Sequence, residues 1–267
     1  SSTPADKDVT IVSIADDSNI TGPDEHCRAA FKLIMGELPK CGGELQPVKC
    51  HVFSKSGTPD MEAWKSECGV EKLIPSDQGF VFAGVPIGAD SWVSNWCLDY
   101  VDTKVVEKLD LVLKTTRKQD RHLLLRYCVH TSITHLARTV PPRLFRSTAK
   151  KFDTLIHDFA VKEALFNGRE CPGVAELLAV DTPEWRAARM ATRFGGWGYT
   201  SIESICEAAY LGSEIQMLIY DVCANYAFES APIYDHLDVV GGLNAGAEAI
   251  KRDFRECYAA ITQRIGE

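Results

Sequence analysis

The sequence predicts an α+β protein, with a small sheet-bearing amino-terminal region followed by a mainly α-helical body. Three observations carry this. Short β-branched and aromatic runs, bounded by glycine and proline, recur up to Gly88. From Asp90 onward, apolar residues recur at helical spacing over long windows. The 267 residues are 45% hydrophobic and 25% charged, which suits a chain that buries a sizeable core and excludes a disordered tail or a coiled-coil rod.

Asp8-Val9-Thr10-Ile11-Val12-Ser13-Ile14 reads as a strand, and Ala15-Asp16-Asp17-Ser18-Asn19 as a polar turn, so a hairpin with two carboxylates at its tip is expected. Pro23-Asp24-Glu25 then opens a helix, because proline suits the first turn and acids suit its positive end. Cys27, Ala30, Phe31, Ile34, Met35 and Leu38 give that helix its apolar face, and Pro39 with Gly42-Gly43 stops it. Residues 44–46 and 49–54 read as two short strands around Pro47, and 55–59 as a loop. Residues 80–88 read as one further strand.

The helical text begins at Asp90. Trp92, Trp96 and Tyr100 form one stripe and Val93, Cys97 and Val101 another, predicting a helix to about Thr115. A second helix is expected over 118–138, with Leu125, Cys128, Val129, Ile133 and Leu136 inward and His122, Arg126 and His130 on another face. Pro141-Pro142 separates a third over 143–166. A short helix over 174–180, a glycine-rich turn over 193–199 and two helices over 201–226 and 243–265 complete the chain. The expected regions are 1–88, 89–170 and 171–267.

The net charge is −8, and it is uneven. Between Lys104 and Arg169 there are 14 basic and 6 acidic residues, a net of +8, which leaves −16 on the remainder. A basic element on an acidic body suits either solvated helix faces or a surface that meets polyphosphate. No apolar run is long enough to span a membrane, and the first residues show no signal-peptide pattern. The ten cysteines lack pairing rhythm, and Cys97, Cys128, Cys206 and Cys223 lie in apolar helical text. An intracellular protein, cytoplasmic or nuclear, with reduced and buried thiols is expected. Cys41, Cys50, His51 and Cys68 lack the spacing of a zinc knuckle.

Paired aspartates on a hairpin tip have a physical use, since two adjacent carboxylates repel unless a divalent cation sits between them. Ile11-Val12-Ser13-Ile14-Ala15-Asp16-Asp17 resembles the Tyr-x-Asp-Asp hairpin of reverse transcriptases, with Ile14 in place of the tyrosine. Gly43-Glu44-Leu45-Gln46-Pro47-Val48-Lys49-Cys50 is similar to the Gly-Leu-x-x-Asn-x-x-Lys-Cys segment of non-LTR retrotransposon polymerases, although its asparagine is not matched. Phe82-Ala83-Gly84-Val85-Pro86-Ile87-Gly88 resembles their primer-grip segment. Leu123 to Cys128, Ala137 to Pro142, Gly195 to Gly198 and Ala208 to Ser213 look like the helical region downstream.

The resemblance implies a partial polymerase palm followed by a thumb-like body. It makes Asp16 and Asp17 the catalytic, Mg²⁺-binding carboxylates. It places Lys49 near an incoming triphosphate and makes Phe82, Gly84 and Gly88 a primer grip. It sets Arg121, His122, Arg126, His130, Arg138 and Arg143 toward an RNA/DNA duplex. The family's third metal-binding aspartate lies upstream of the hairpin, so the chain is expected to represent the C-terminal half of an RNA-directed DNA polymerase, inactive alone. The alternative is a domesticated, non-catalytic scaffold that binds nucleic acid or protein. The strand edge between Val9 and Ile14 is expected to pair with a second chain or to self-associate, because an exposed edge invites pairing.

Overall fold

The computed structural model describes residues 9–14, 17–55, 57–164, 173, 178–179, 182–225 and 245–266. The fold is mixed α+β, mostly helical, with small sheets of two strands each. The chain divides into two compact units, 1–93 and 94–267.

In the first unit, β1 (Thr10–Ile14) and β2 (Asp17–Thr21) form an antiparallel hairpin that runs from Thr10 opposite Thr21 to Ile14 opposite Asp17. The Ser13 and Ser18 hydroxyls meet across it at 2.8 Å. Helix α1 (Asp24–Glu37) follows, with Asp24 and Glu25 in its first turn. Asp24 also accepts the Trp64 indole N–H at 2.7 Å and pairs with Arg28. This ties α1 to α2, which runs from Met61–Ala63 through a π turn at Trp64–Cys68. Asp60 caps α2 by accepting the Ala63 N–H at 3.0 Å. Phe31 and Trp64 meet edge to face at 5.8 Å. With Cys27, Cys68 and Val70 they form the buried core, against which Ile20 and Val52 pack.

β3 (His51–Phe53) and β4 (Lys72–Ile74) pair in parallel. Parallel neighbours need a crossover, and α2 lies within it. β5 (Gly79–Phe82) and β6 (Val85–Gly88) form a second antiparallel hairpin. The structure therefore splits the single strand expected over 80–88. Ala83 and Gly84 have φ of 49° and 77°, the left-handed pair that a two-residue hairpin loop requires. Gly79 faces Gly88, and a Cβ on Gly79 would lie 2.5 Å from the Trp92 ring. Residues 44–46 form no strand, and Pro47–Lys49 is a 3₁₀ turn, consistent with a proline that has no N–H for a ladder.

In the second unit, α3 comprises Asp90–Tyr100, which begins at the end of the first unit, then a π turn at Val101–Val105 and Val106–Leu113. Helix α4 comprises Lys118–Leu124, a π turn at Leu125–Val129, a 3₁₀ turn at His130–Ile133 and Thr134–Thr139. Val140 is extended and Pro142 opens α5 (Pro142–Phe159), which ends in a π turn at Ala160–Ala164. Proline in a first helical turn loses no intrahelical bond. Helices α6 (Pro183–Arg189), α7 (Ile202–Asn225) and α8 (Ala245–Gly266) follow.

Helix α7 packs along the end of α4, along α5 and along α8. Phe145, Phe152 and Ile156 of α5, Leu125, Ile133 and Leu136 of α4, and Ile202 and Tyr210 of α7 are buried there. Cys128, expected in the core, is exposed. It lies in a π turn, whose i→i+5 bonding shifts the inward stripe. Cys27, Cys68, Cys97, Cys206 and Cys257 are buried free thiols. The helix expected over 174–180 falls largely outside the described residues, as does the side chain of Cys223. Among the described residues no helix is long and apolar enough to cross a membrane.

Candidate functional site

In the first unit, Asp17 opens β2, exposed and directly opposite Ile14. Asp16 lies outside the described residues. Among the described residues no three His, Cys, Asp or Glu side chains converge as a metal site. Lys49 is exposed at the end of its 3₁₀ turn. Phe82 ends β5 beside the turn of the β5–β6 hairpin, Gly84 lies in that turn, and Gly88 ends the hairpin. A Cβ at Gly88 would lie 2.4 Å from the Gly79 Cα, so the close approach of the two strands dictates both glycines.

In the second unit, the stripe of His122, Arg126 and His130 is directed at residues 198–200. The His122 Nδ1 lies 2.6 Å from the Tyr199 hydroxyl, and the His130 Nε2–H donates to the Thr200 carbonyl at 2.5 Å. The Arg126 guanidinium lies beneath Gly198, where a Cβ would stand 2.8 Å from Nε, and Gly198 has φ of 80°. Its Cζ also sits 4.8 Å from the Tyr127 ring centroid. The stripe is a clamp on a neighbouring segment of the same unit.

Burial governs the electrostatics of the clamp. It pulls the His122 imidazole below its ordinary range, and the nearby Arg126 charge acts in the same direction. Burial also lowers His130, against the opposing pull of the Thr200 carbonyl and of Asp153. The buried Tyr199 phenol is pushed upward. An aromatic file continues from the clamp. His122, Tyr199, Trp197, Trp185 and His157 meet edge to face at successive centroid distances of 5.3, 6.3, 6.1 and 4.5 Å. His157 Nε2 lies 2.7 Å from the Leu178 carbonyl.

The remaining predicted cations are distributed differently. Arg121 donates to the carbonyls of Thr115 at 2.6 Å and Leu113 at 3.1 Å, which satisfies the free carbonyl end of α3. Arg143 pairs with the buried Asp253 at 3.1 Å. Arg138 is exposed. Sequence reasoning missed Gly198, Tyr199 and Thr200 as the partners of the stripe. The only available signal was the glycine-rich run itself, which marks a close backbone approach without saying to what.

The chain matches no protein-family model, no curated protein and no solved structure. Its class is that of a mixed α+β protein with a mainly helical second unit, organised around an internal histidine–arginine clamp.

Proposed function

We propose that this chain is a reverse-transcriptase-derived protein, resembling the C-terminal half of a non-LTR retrotransposon polymerase, that binds a template–primer duplex through its helical unit. The observation that supports this most is the β1–β2 hairpin. Two residues join its strands, and Asp17 opens the returning strand, exposed and ahead of α1, in the order of the motifs it resembles. In this reading Asp16 and Asp17 would hold Mg²⁺, a cation that prefers hard oxygen ligands and stabilises charge on phosphate oxygens. Lys49 would face a triphosphate, and Phe82, Gly84 and Gly88 would shape a primer grip.

Within the basic region the clamp residues are engaged internally, so the duplex-facing role falls to exposed cations such as Arg138. Binding of a labelled RNA–DNA duplex across a salt series tests this. Affinity should fall steeply and linearly on log axes, at about −0.9 per phosphate contacted. A flat salt dependence, or unchanged affinity after R138E, overturns the duplex reading. Mn²⁺ titration of wild type against D17N tests the metal, since a hairpin site must lose binding with that carboxylate.

A second reading, a non-catalytic protein-binding scaffold, is favoured by the outer strand of the same hairpin. Among the described residues β1 pairs with β2 alone, and Ile11 and Val12 are 49% and 47% exposed. Pairing of that edge with a second copy would shift sedimentation with concentration, and V12K would abolish the shift. Concentration-independent sedimentation removes the self-association.

A further inference from the structure

A cavity of about 270 Å³ opens in the second unit between α5, α6 and the amino end of α7. Lys150 of α5 and Arg186 and Arg189 of α6 line it. The two arginines are three residues apart and so share one face of their helix. Lys150 and Arg186 are exposed, and among the described residues neither pairs with a carboxylate. Arg189 donates to the Ser204 hydroxyl at 3.3 Å and also has no carboxylate partner among the described residues.

Elsewhere the same unit neutralises cations directly. Arg143 meets Asp253, Arg146 meets Glu207 and Lys151 meets Asp102. Around this cavity three cations stand without such partners among the described residues, against two acids, Asp153 and Glu203. Asp153 is already committed. Its oxygens accept the Ser201 hydroxyl at 2.5 Å and the N–H groups of Ile202 at 2.9 Å and Glu203 at 3.1 Å. Its charge therefore answers the positive end of α7 rather than the cations across the cavity.

We propose that this cleft binds a phosphate group of a polynucleotide strand, with the Arg186 and Arg189 forks and the Lys150 ammonium as its donors. The inference rests on the nucleic-acid reading above and gives it a location outside the predicted stripe. Guanidinium groups match phosphate oxygens bidentately, and lysine adds a point charge. The volume lies below the roughly 300–1,000 Å³ of sites that enclose a whole small molecule. It fits one phosphate of a longer chain better than a fully enclosed ligand.

The test uses the full chain and a K150Q/R186Q double variant, in which both altered side chains are exposed, with matching thermal unfolding as the control for folding. A labelled RNA strand should bind the variant about tenfold more weakly, with a salt slope shallower by about one. R189Q, made separately, should weaken binding in the same direction. Strand binding that is salt-dependent but equal in wild type and both variants overturns this site while leaving the nucleic-acid reading in place. Tripolyphosphate, titrated calorimetrically, separates the sources of the phosphate. If tripolyphosphate binds wild type and not the variant while no strand binds, the cleft stands as a phosphate site and the nucleic-acid reading falls. If neither ligand binds wild type, both fall.

Discussion

The carboxylate of Asp153, in the middle of α5, accepts the backbone N–H of Ile202 at 2.9 Å and so closes the amino end of α7 from another helix. It takes the Glu203 N–H and the Ser201 hydroxyl as well, while Ser201 Oγ accepts the Ser204 N–H at 3.0 Å. Helix starts carry unsatisfied N–H groups, and an anion there also meets the helix dipole. D153A should lower stability by about 1–2 kcal/mol in urea unfolding. D153N, which keeps an acceptor and loses the charge, should cost less. Equal losses would show that the charge dominates and the hydrogen bonds do not.

The clamp makes stability depend on pH with a definite sign. His122 and His130 have folded pKa values below the unfolded value of about 6.5, chiefly through burial. Arg126 lowers both, Arg189 lowers His130, and Asp153 opposes them at His130. The unfolded chain therefore takes up protons first as pH falls. This stability contribution is complete above about pH 6.5 and is lost as pH drops toward the depressed folded values. Unfolding free energies measured between neutral and mildly acidic pH should show the decline. H122N/H130N should flatten it and should also be less stable at neutral pH.

Gly196 has no room for a side chain. A Cβ there would lie 2.0 Å from the Met190 carbonyl oxygen and 2.8 Å from that of Ala187. G196A should cost more than about 2 kcal/mol, because backbone must shift to admit the methyl group. G198A meets the movable Arg126 side chain instead and should cost less, about 1 kcal/mol or somewhat more for its positive φ. Chemical denaturation of the two variants side by side checks the order.

Glu207 is 1% exposed and pairs with Arg146, whose side chain is half exposed. The Cys206 thiol also points at Glu207, at 3.4 Å, and burial pushes that thiol up to about 12. Truncating Arg146 removes the ion-pair partner of a buried carboxylate. R146A should cost about 3 kcal/mol, near the lower end for a broken buried pair because the arginine is partly solvated. The R146M/E207Q pair should recover most of that loss in the same denaturation assay.

The six long helices among the described residues were legible because each carries several turns of apolar repeat. Leu125, Ile133 and Leu136 mark α4 in this way, and Phe145, Phe152 and Ile156 mark α5. The short elements were not. Helix α2 and strand β4 offer too few residues for a period to show, and α6 is scarcely two turns long. The β5–β6 turn was missed because alanine at a left-handed position is uncommon, so Ala83-Gly84 does not read as a hairpin loop as Asn-Gly would. The clamp was half legible. Spacing put His122, Arg126 and His130 on one face, but spacing cannot identify a packing partner some seventy residues further along the chain. The Asp17 hairpin was legible in part: its first strand could be read from the β-branched run, but Asp17, Ser18 and Asn19, read as turn from their polarity, belong to the returning strand.

Among the described residues the small sheets do not pair with one another, and this sets how the first unit opens in time. A lone two-stranded ribbon is marginal in water. β5–β6 has the Trp92 ring lying on Gly79, whereas β1–β2 is anchored mainly where Ile20 packs on the α1 core. Amide protons of the β1–β2 ladder should therefore exchange with deuterated solvent well ahead of those inside α1, and ahead of the β5–β6 ladder. The strand that carries Asp17 opposite Ile14 can part from its neighbour while the core beneath it stays intact.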